Sequence, residues 1–263
     1  MDSSSKNRFD DFFEEEKYLV FKNHLYNYLL RKRAIGKALK RERPGLTLEV
    51  GSGISPVTTP GDRIIYSEVS FLAMRRLKQD LGRGSFVVAD VTRLPFKDGV
   101  FDHTVCSEVL EHVEHDGTAL KELSRVMRSS GRLLLTFPHR QFYFTNDDRF
   151  VGHLRRYELR EMEDRLEAAN LKPLSTKKIL GPLEKLTMMA VIYGIEKFQN
   201  DRGKSELKNL SQKTYGPLII IYKWVNRIYA VLAWLDALLA PRFLSAVLLV
   251  KAGKKSNPVG TMA

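Results

Sequence analysis

Short apolar runs alternate along the middle of the chain with segments whose apolar residues recur at helical spacing. The runs are LTLEV, RIIYSE, SFVVAD, FDHTVCSE and GRLLLTFP, and the helical segments between them include FLAMRRLKQDL and DGTALKELSRVMRSS. This alternation predicts parallel strands joined by crossover helices, and therefore an α/β sheet that is covered on both faces. Because ligands of such sheets bind beyond the carboxyl ends of the strands, we expect functional residues directly after each run.

Helical periodicity also precedes and follows this core. From residue 9 to residue 40 it predicts helices, with apolar positions at Phe13, Tyr18, Phe21, Leu25 and Leu29. After the core, ELREMEDRLEAANLKPL predicts one more helix that runs to about Asn170, and a strand follows from Lys172 to Ile179. The last run, LSAVLLVKAG, predicts a final strand.

Two long apolar stretches separate the last two predicted strands. They are LEKLTMMAVIYGIEKF and YGPLIIIYKWVNRIYAVLAWLDALLAP, joined by the polar QNDRGKSELKNLSQKT, and we interpret them as a helical insertion. The chain then divides into an N-terminal helical segment (1–45), an α/β core (46–180), the apolar helical insertion (181–242), and the final strand with a polar tail (243–263).

Composition and charge narrow the class of protein. The hydrophobic content of 43% and the charged content of 28% are typical of a folded, water-soluble protein. The single cysteine, Cys106, excludes an intramolecular disulfide, and the first residues lack the pattern of a secretion signal, so we expect a cytoplasmic location. The 43 Lys and Arg against 31 Asp and Glu, a net charge of +12, favour an anionic partner such as nucleic acid or a phospholipid surface.

A glycine turn and three acids stand at the ends of the first three runs. Gly51 and Gly53 allow a sharp turn and a close approach of the backbone to a ligand, but Pro56 stands where a dinucleotide-binding fingerprint requires a third glycine. Glu49, Glu68 and Asp90 end the three runs, and Glu68 lies 17 residues after Gly51. An acid at about 20 residues from such a turn is placed to hold ribose hydroxyls.

The segments LEVGSG, YSEVS, VVADVTRLPFKDGVFDHTVCSEVLEHV and LLLTFPHR, in this order and at these spacings, resemble the class I S-adenosylmethionine (SAM)-dependent methyltransferases. The resemblance is to the group around the ubiquinone and menaquinone methyltransferases, and it covers roughly residues 46–170 and the final strand. It implies a Rossmann-like fold with a mostly parallel seven-stranded sheet, an antiparallel final strand and a helical insertion before that strand. It also implies SAM as the cofactor.

The resemblance implies which residues contact SAM, namely Glu49, Gly51, Gly53, Glu68, Asp90, Val91, Cys106 and Ser107. The turn that begins at Glu49 would lie against the methionine part of SAM. Glu68 would hold the ribose hydroxyls, and Asp90 with Val91 would face the adenine. Cys106 and Ser107 would border the reacting methyl group, with the Cys106 side chain packed in the core.

The loop after Gly53 is shorter than in the family, which places a full helix there. Only ten residues separate Gly53 from Ile64. Ser55 and Pro56 have the preferences of an N-cap and a first helical position, so we expect a helix of about one turn.

Two histidines and a basic segment are candidates for the acceptor side. His153 and His139 could act as a general base, and the alternative is that they are loop or capping residues. The string GHLRRY resembles a recurring feature at the rim of the acceptor pocket in this methyltransferase group, so that Arg155, Arg156 and Tyr157 could bind the acceptor or, alternatively, anchor the loop. We find no Cys/His cluster with metal-ligand spacing and predict no metal, and we interpret LEHV as helical packing.

The insertion is long enough to cross a bilayer, which takes about 20 residues, but Lys223, Arg227 and Asp236 interrupt it. Its wide apolar face with tryptophan and flanking basic residues favours a helix that lies in a membrane interface. The alternatives are packing within the fold, a homodimer and a protein partner.

From these observations we expect a SAM-dependent methyltransferase that acts on an oxygen or carbon of a hydrophobic or amphipathic small molecule. The acceptor would be a quinone, prenyl compound, lipid or lipid-linked molecule. The protein would reach it at the inner face of the membrane, which residues 181–242 would contact. The alternatives are an RNA or protein methyltransferase and a non-catalytic scaffold with the same fold. Nucleic acid is not the expected partner, because no RNA-binding module is recognisable.

Overall fold

The fold is built on one seven-stranded sheet, seen in a computed structural model that describes residues 23–201 and 212–255. The strands lie in the order β3-β2-β1-β4-β5-β7-β6. Their bounds are β1 (Thr47–Val50), β2 (Ile64–Glu68), β3 (Ser85–Val88), β4 (Phe101–Ser107), β5 (Met127–Pro138), β6 (Leu171–Leu180) and β7 (Val247–Lys254).

The strand directions are those of the predicted fold class. Strands β1 to β5 pair in parallel, whereas β7 runs antiparallel to both of its neighbours, β5 and β6. The prediction of a Rossmann-like α/β sheet with an antiparallel final strand is confirmed. Since parallel strands end at the same edge of the sheet, the residues after β1, β2 and β4 meet there.

Seven α-helices lie in the described residues. They are α1 (Tyr26–Leu39), α2 (Phe71–Leu81), α3 (Asp116–Val126), α4 (Asn146–Phe150), α5 (Leu159–Ala168), α6 (Pro182–Asp201) and α7 (Gln212–Leu239). Local sequence sets several of their ends. The Ser70 side chain accepts a hydrogen bond from the backbone N–H of Ala73 at the start of α2, and Gly82 ends that helix with a left-handed φ of 62°.

The helices predicted from residue 9 onward are only partly within the described residues. The described part begins its helix at Tyr26, and the positions Phe13, Tyr18 and Phe21 lie outside it. The helix predicted over DGTALKELSRVMRSS is wrong beyond Val126. Met127 has extended backbone and begins β5, because it pairs with Phe101 of β4 and is fully buried there.

Two apolar clusters cover the two faces of the sheet, as the alternation of side chains along its strands requires. On β5, Leu133 and Leu135 point into the cluster that includes Leu123 of α3 and Met162 of α5. Leu134, between them, points into the opposite cluster, which includes residues of α1 and α7. The sheet is thereby buried on both sides.

The predicted insertion consists of α6 and α7, which come between β6 and β7. Helix α7 packs on the protein through a narrow strip in which Asn226, Ala233 and Ala237 are buried. Within residues 23–201 and 212–255, no helix combines the length and hydrophobicity that a membrane span needs.

The short helix predicted after Gly53 is wrong, because residues 51–63 form no helix. The backbone N–H groups of Val57 and Thr58 instead donate to the carboxylate of Glu49, at 2.7 and 3.0 Å. These bonds hold the loop against the end of β1 and replace the hydrogen bonds that a helical turn would make.

Candidate active site

A cavity of about 1110 Å³ lies at the carboxyl ends of β1, β2 and β4. Its volume slightly exceeds the ~300–1,000 Å³ found for small-molecule sites, so it has room for two ligands side by side. One part of its wall comes from the strand ends, and other parts come from α1, α6, the segment 147–156 and residues between 109 and 115.

Glu49 lies in the wall beneath the glycine turn. Its buried carboxylate accepts hydrogen bonds from the loop at Val57 and Thr58, and the hydroxyl of Thr58 also donates to it. Burial raises the pKa of Glu49, and the hydrogen bonds from Thr58 and Val57 oppose that rise. The role of Glu49 visible in the structure is therefore to fix the loop that borders the cavity.

Gly51 needs to be glycine for two reasons. Its φ of 63° is left-handed, and a Cβ there would lie 2.3 Å from Cγ2 of Val109. Gly53 has a φ of 52°, and its N–H points into the cavity wall and donates to Oε2 of Glu68 at 2.9 Å. The turn thus brings bare backbone to the cavity surface.

Glu68 is held at the end of β2 by backbone donors. In addition to Gly53, the N–H groups of Val69 and Ser70 donate to its Oε1, at 2.8 and 3.3 Å. The carboxylate lines the cavity with its orientation fixed, as a group that binds two ribose hydroxyls requires. Nearby in the wall, the buried hydroxyls of Ser52 and Ser55 have no hydrogen-bond partner among the described residues. Such unsatisfied polar atoms fit a polar ligand at this end.

The next strand ends place Asp90, Val91 and Ser107 on the same cavity. Asp90 is exposed and accepts from the N–H and hydroxyl of Thr92, both at 2.8 Å. The Ser107 hydroxyl lies 2.8 Å from that of Thr136. The Cys106 side chain is in the apolar core and does not line the cavity. Burial, followed by the charges of nearby acids, raises the pKa of this thiol.

The two predicted histidines have different surroundings. His139 is buried away from the cavity, with Nδ1 2.9 Å from Oγ of Ser245, and burial lowers its pKa. His153 lines the cavity, and its Nδ1 is 2.8 Å from Oδ1 of Asp148. The structure therefore places His153, and not His139, within reach of a bound molecule.

The basic segment is anchored to two acids. Arg156 donates from Nε to Asp148 at 2.8 Å, and Arg155 donates to Asp116 at 3.1 Å. Both arginines line the cavity. Tyr157 does not, because its buried hydroxyl donates to the same Asp116 at 2.8 Å. It fixes the segment from behind.

Asp148 organises this side of the cavity. Burial alone would raise its pKa, but hydrogen bonds from His153 and Arg156, with the charge of Arg156 and a bond from Lys185, lower the pKa instead. Lys185 Nζ is 2.7 Å from Oδ2 of Asp148 and joins α6 to α4. An ionised Asp148 can orient His153 by accepting a hydrogen bond from its Nδ1–H group, as in other carboxylate–histidine pairs.

Sequence reasoning missed four further residues at the cavity. Arg31, Glu108 and His112 line it, and Glu111 is buried behind them. Glu108 lines the cavity with a left-handed φ of 55° and pairs with Arg31 of α1 at 3.4 Å. Glu111 is fully buried, and burial followed by the charge of Glu108 raises its pKa well above the usual range. The adjacent Glu and His in LEHV were the sequence signal that could have identified this group.

Comparisons with known proteins agree with this geometry. Residues 48–135 match the family described as a methyltransferase domain. An uncharacterized protein of Methanocaldococcus jannaschii is 31% identical over 101 residues, which is 38% of this chain and 43% of the relative. A demethylmenaquinone methyltransferase of Streptomyces avermitilis is 29% identical over 108 residues, 40% of this chain and 47% of the relative. The chain thus spans less than half the length of these two relatives.

A solved structure has the same fold over nearly the whole chain. The crystal structure of a SAM-dependent methyltransferase from Thermotoga maritima superposes with a TM-score of 0.58 and 17% identity, covering 94% of this chain and 98% of that one. The chain therefore resembles the class I SAM-dependent methyltransferases in its domain family and its fold, as its sequence motifs predict.

Proposed function

We propose that this protein is a SAM-dependent methyltransferase that modifies an oxygen or carbon of a hydrophobic or amphipathic small molecule at a membrane face. The observation that carries the proposal is a single cavity whose wall contains both the glycine turn with Glu68 and the segment with His153. A donor at the strand ends and an acceptor beside His153 would occupy neighbouring parts of that cavity.

The strand-end part of the cavity fits SAM. The turn at Gly51 and Gly53 exposes backbone, and Glu68 offers an oriented carboxylate to the ribose. Asp90 and Val91 line the same cavity and would face the adenine. The unpartnered hydroxyls of Ser52 and Ser55 lie beside the turn and would find partners in the polar methionine end. Bound SAM supplies an electrophilic methyl group on a sulfonium sulfur.

The protein contributes mainly position to the transfer. An acceptor atom attacks the methyl carbon in line with the carbon–sulfur bond, and holding that geometry can supply an effective molarity of ~10⁵ M or more. A hydroxyl acceptor must also lose its proton. His153 lines the cavity with its Nδ1 held by Asp148 and could accept that proton, whereas His139 is buried elsewhere.

Helix α6 supports a hydrophobic acceptor. Lys185 and Met188 line the cavity, while Leu186 and Met189 of the same helix are exposed. One helix therefore borders both the cavity and the outside apolar surface. An acceptor that is itself embedded in a membrane could reach the cavity along this helix.

Helix α7 extends that apolar surface. Its small buried strip faces the protein, so its large side chains face outward, with Trp224 60% and Ile228 61% exposed. The guanidinium of Arg227 lies 5.7 Å from the ring centre of Trp224. An exposed apolar face with tryptophan and basic residues is typical of helices that lie in the lipid interface, where the net charge of +12 favours anionic headgroups.

Transfer of a labelled methyl group tests the proposal. The purified chain is incubated with methyl-labelled SAM and lysate of the source cells, and the products are separated into organic-soluble, aqueous, protein and nucleic-acid pools. We expect enzyme-dependent label in the organic pool and none with the Gly51→Arg variant. Label confined to RNA or protein would contradict the proposed acceptor class. Absence of enzyme-dependent label from all pools would favour a scaffold.

A further inference from the structure

An arginine and two exposed apolar side chains lie together in the cavity wall at the end of α4. Arg149 and Phe150 are the last two residues of this helix, and both line the cavity although both are exposed. Phe150 is 52% exposed, and Leu154, in the loop that follows, lines the cavity and is 42% exposed. Because these side chains face both the cavity and the solvent, they border its opening. A ligand that enters here meets a guanidinium beside apolar surface.

Neutral groups hold Arg149 in place. Its Nη1 donates to Oδ1 of Asn146 at 3.0 Å, and its Cζ lies 5.4 Å from the ring centre of Phe144. These contacts orient the guanidinium without neutralising its charge. Within residues 23–201 and 212–255, its side chain makes no ion pair and no other hydrogen bond. Nε and Nη2 therefore keep their N–H donors for a ligand.

The other arginines and the lysine of the wall each pair with a carboxylate of the fold. They are Arg31 (3.4 Å from Glu108), Arg155 (3.1 Å from Asp116), Arg156 (2.8 Å from Asp148) and Lys185 (2.7 Å from Asp148). Their charges hold the wall together. Arg149 differs from them because no described acid uses its charge.

The acids of α4 itself leave Arg149 free. Asp147 and Asp148 precede it in the same helix, but both are buried, and Nζ of Lys185 donates to them at 2.6 and 2.7 Å. The exposed acid Glu114 also lines the cavity, and its backbone carbonyl accepts from Arg155 at 3.4 Å. An anion at Arg149 would therefore pair with a guanidinium that has no carboxylate partner in the described part of the fold.

We propose that Arg149 binds an oxyanion, a phosphate or a carboxylate, on an amphipathic acceptor. A guanidinium binds either group through two parallel N–H donors, and such pairs are among the strongest that a side chain makes. Phe150 and Leu154 beside it would contact the apolar part of the same molecule. The inference rests on the proposed function and deepens it, because it names the acceptor as an amphipathic acid and not a neutral lipid.

Binding of simple amphiphiles tests the site without methyl transfer. The purified full chain is titrated in a calorimeter with decyl phosphate, decanoate and decanol, at neutral pH, at fixed ionic strength and below the concentrations at which micelles form. The three probes share one tail and differ only in the head group. We expect one molecule of decyl phosphate or decanoate to bind per chain at least ~10-fold more tightly than decanol. The tighter of the two acids identifies the oxyanion.

Two variants separate the site from overall charge. Arg149→Gln should remove the preference, so that both acids bind within about twofold of decanol. Arg160→Gln is the matched control, because Arg160 is exposed on α5, does not line the cavity and makes no ion pair among the described residues. It removes the same charge and should keep the preference. The melting temperature of each variant checks that it is folded.

The site would be overturned by a wild-type chain that binds decanol as tightly as both acids. It would equally be overturned if Arg149→Gln kept the preference, as it would for amphiphiles bound on the exposed face of α7, or if Arg160→Gln lost it. A chain that transfers methyl groups but has no preference for the acids would contradict the Arg149 site alone. A chain that binds the acids through Arg149 but transfers no methyl group would contradict the proposed function alone.

Discussion

The backbone N–H of Gly53 and the carboxylate of Glu68 are joined by a hydrogen bond of 2.9 Å across the carboxyl ends of β1 and β2. The bond links the glycine turn directly to the residue expected to hold the ribose. No helix follows Gly53. The Gly53–Glu68 hydrogen bond and the hydrogen bonds from the loop to Glu49 therefore determine the shape of the cofactor end of the cavity. Two strand-end carboxylates thus hold the loop in place of a longer helix.

The turn at Gly51 should tolerate no side chain. Gly51→Ala adds both the strain of a left-handed alanine, ~1–2 kcal/mol, and a clash with Val109. We expect urea unfolding to show that this variant loses more than ~1–2 kcal/mol of the free energy of unfolding. Calorimetry should show SAM binding at least ~10-fold weaker than in the wild type.

Gly82 is the matched control for Gly51. Its φ of 62° is nearly the same, but a Cβ there meets nothing within 4 Å. Gly82→Ala should therefore show the conformational cost alone and bind SAM as the wild type does. Equal stability and equal SAM affinity of the two variants would contradict the packing described at Val109.

Substitutions of His153 and His139 should affect different properties, catalysis for His153 and stability for His139. We expect His153→Gln to lower kcat by about 10²- to 10⁴-fold, as for loss of acceptor activation, with SAM affinity unchanged. His139→Ala should mainly reduce the free energy of unfolding, by about 1–3 kcal/mol, since it removes a buried side chain and its hydrogen bond to Ser245. Steady-state kinetics measure kcat, and urea unfolding measures the stability of each variant. An unchanged kcat in His153→Gln together with a lowered kcat in His139→Ala would exclude His153 from the reaction.

The exposed face of α7 should determine membrane binding. The double variant Trp224→Ser, Ile228→Ser should lower sedimentation with anionic liposomes at least ~10-fold, since each side chain contributes about 1.5–3 kcal/mol when buried. Phe71→Ser, at a position 63% exposed on α2, is the control and should leave sedimentation unchanged.

Three results would count against the membrane assignment. They are a wild type that does not sediment, a double variant that sediments equally, and a wild type whose mass in ultracentrifugation shows a dimer that the double variant lacks. The last result would assign the face to a second copy of the chain.

The contact between α1 and α6 should depend on pH. Glu184 of α6 accepts from the hydroxyl of Tyr26 and from Nδ2 of Asn27. Burial raises the pKa of Glu184 above 4.5, although the hydrogen bonds from Tyr26 and Asn27 oppose it. Its contribution to stability is therefore complete below about pH 4.5 and is lost as pH rises through the folded-state pKa. Glu184→Gln should show a smaller loss of unfolding free energy than the wild type as pH rises from 4.5.

Glu42 provides a control of opposite sign. A hydrogen bond from Lys251 lowers its pKa, so its contribution is present above pH 4.5 and is lost as pH falls through the folded-state pKa. At neutral pH, Glu42→Gln should have a lower free energy of unfolding than the wild type, and the difference should disappear in acid. Urea unfolding over a pH series measures both variants. Parallel curves for Glu184→Gln and the wild type would refute the assignment for Glu184.

Much of the fold follows from local sequence. The apolar runs predict every strand of the sheet to within a few residues because each is short, buried and bounded by turns. The exception at Met127 has a physical reason: VMRSS continues the helical spacing of α3, and only the pairing of Met127 with Phe101 makes it a strand. The loop after Gly53 was also predicted wrongly, because the preferences of Ser55 and Pro56 were overridden by the hydrogen bonds to Glu49.

The cofactor end of the cavity was easier to predict than the acceptor end, because local sequence predicts where strands end but not which distant residues meet. Its residues follow directly from strand ends, whereas Glu111 and His153 are 42 positions apart and meet only through the fold. Asp148, which orients His153, lies in the five-residue helix α4, whose sequence has no strong periodic pattern. Such contacts depend on tertiary structure that periodicity does not encode.

The most direct test of the account is a calorimetric titration of SAM into the purified wild-type chain and its Glu68→Ala variant. We predict saturable binding of one SAM per wild-type chain, and an affinity at least ~10-fold weaker in the variant, because charge-assisted hydrogen bonds to the ribose are worth about 1.5–3 kcal/mol. A wild-type chain that binds no SAM, or a variant that binds it equally well, would contradict the assignment of this cavity.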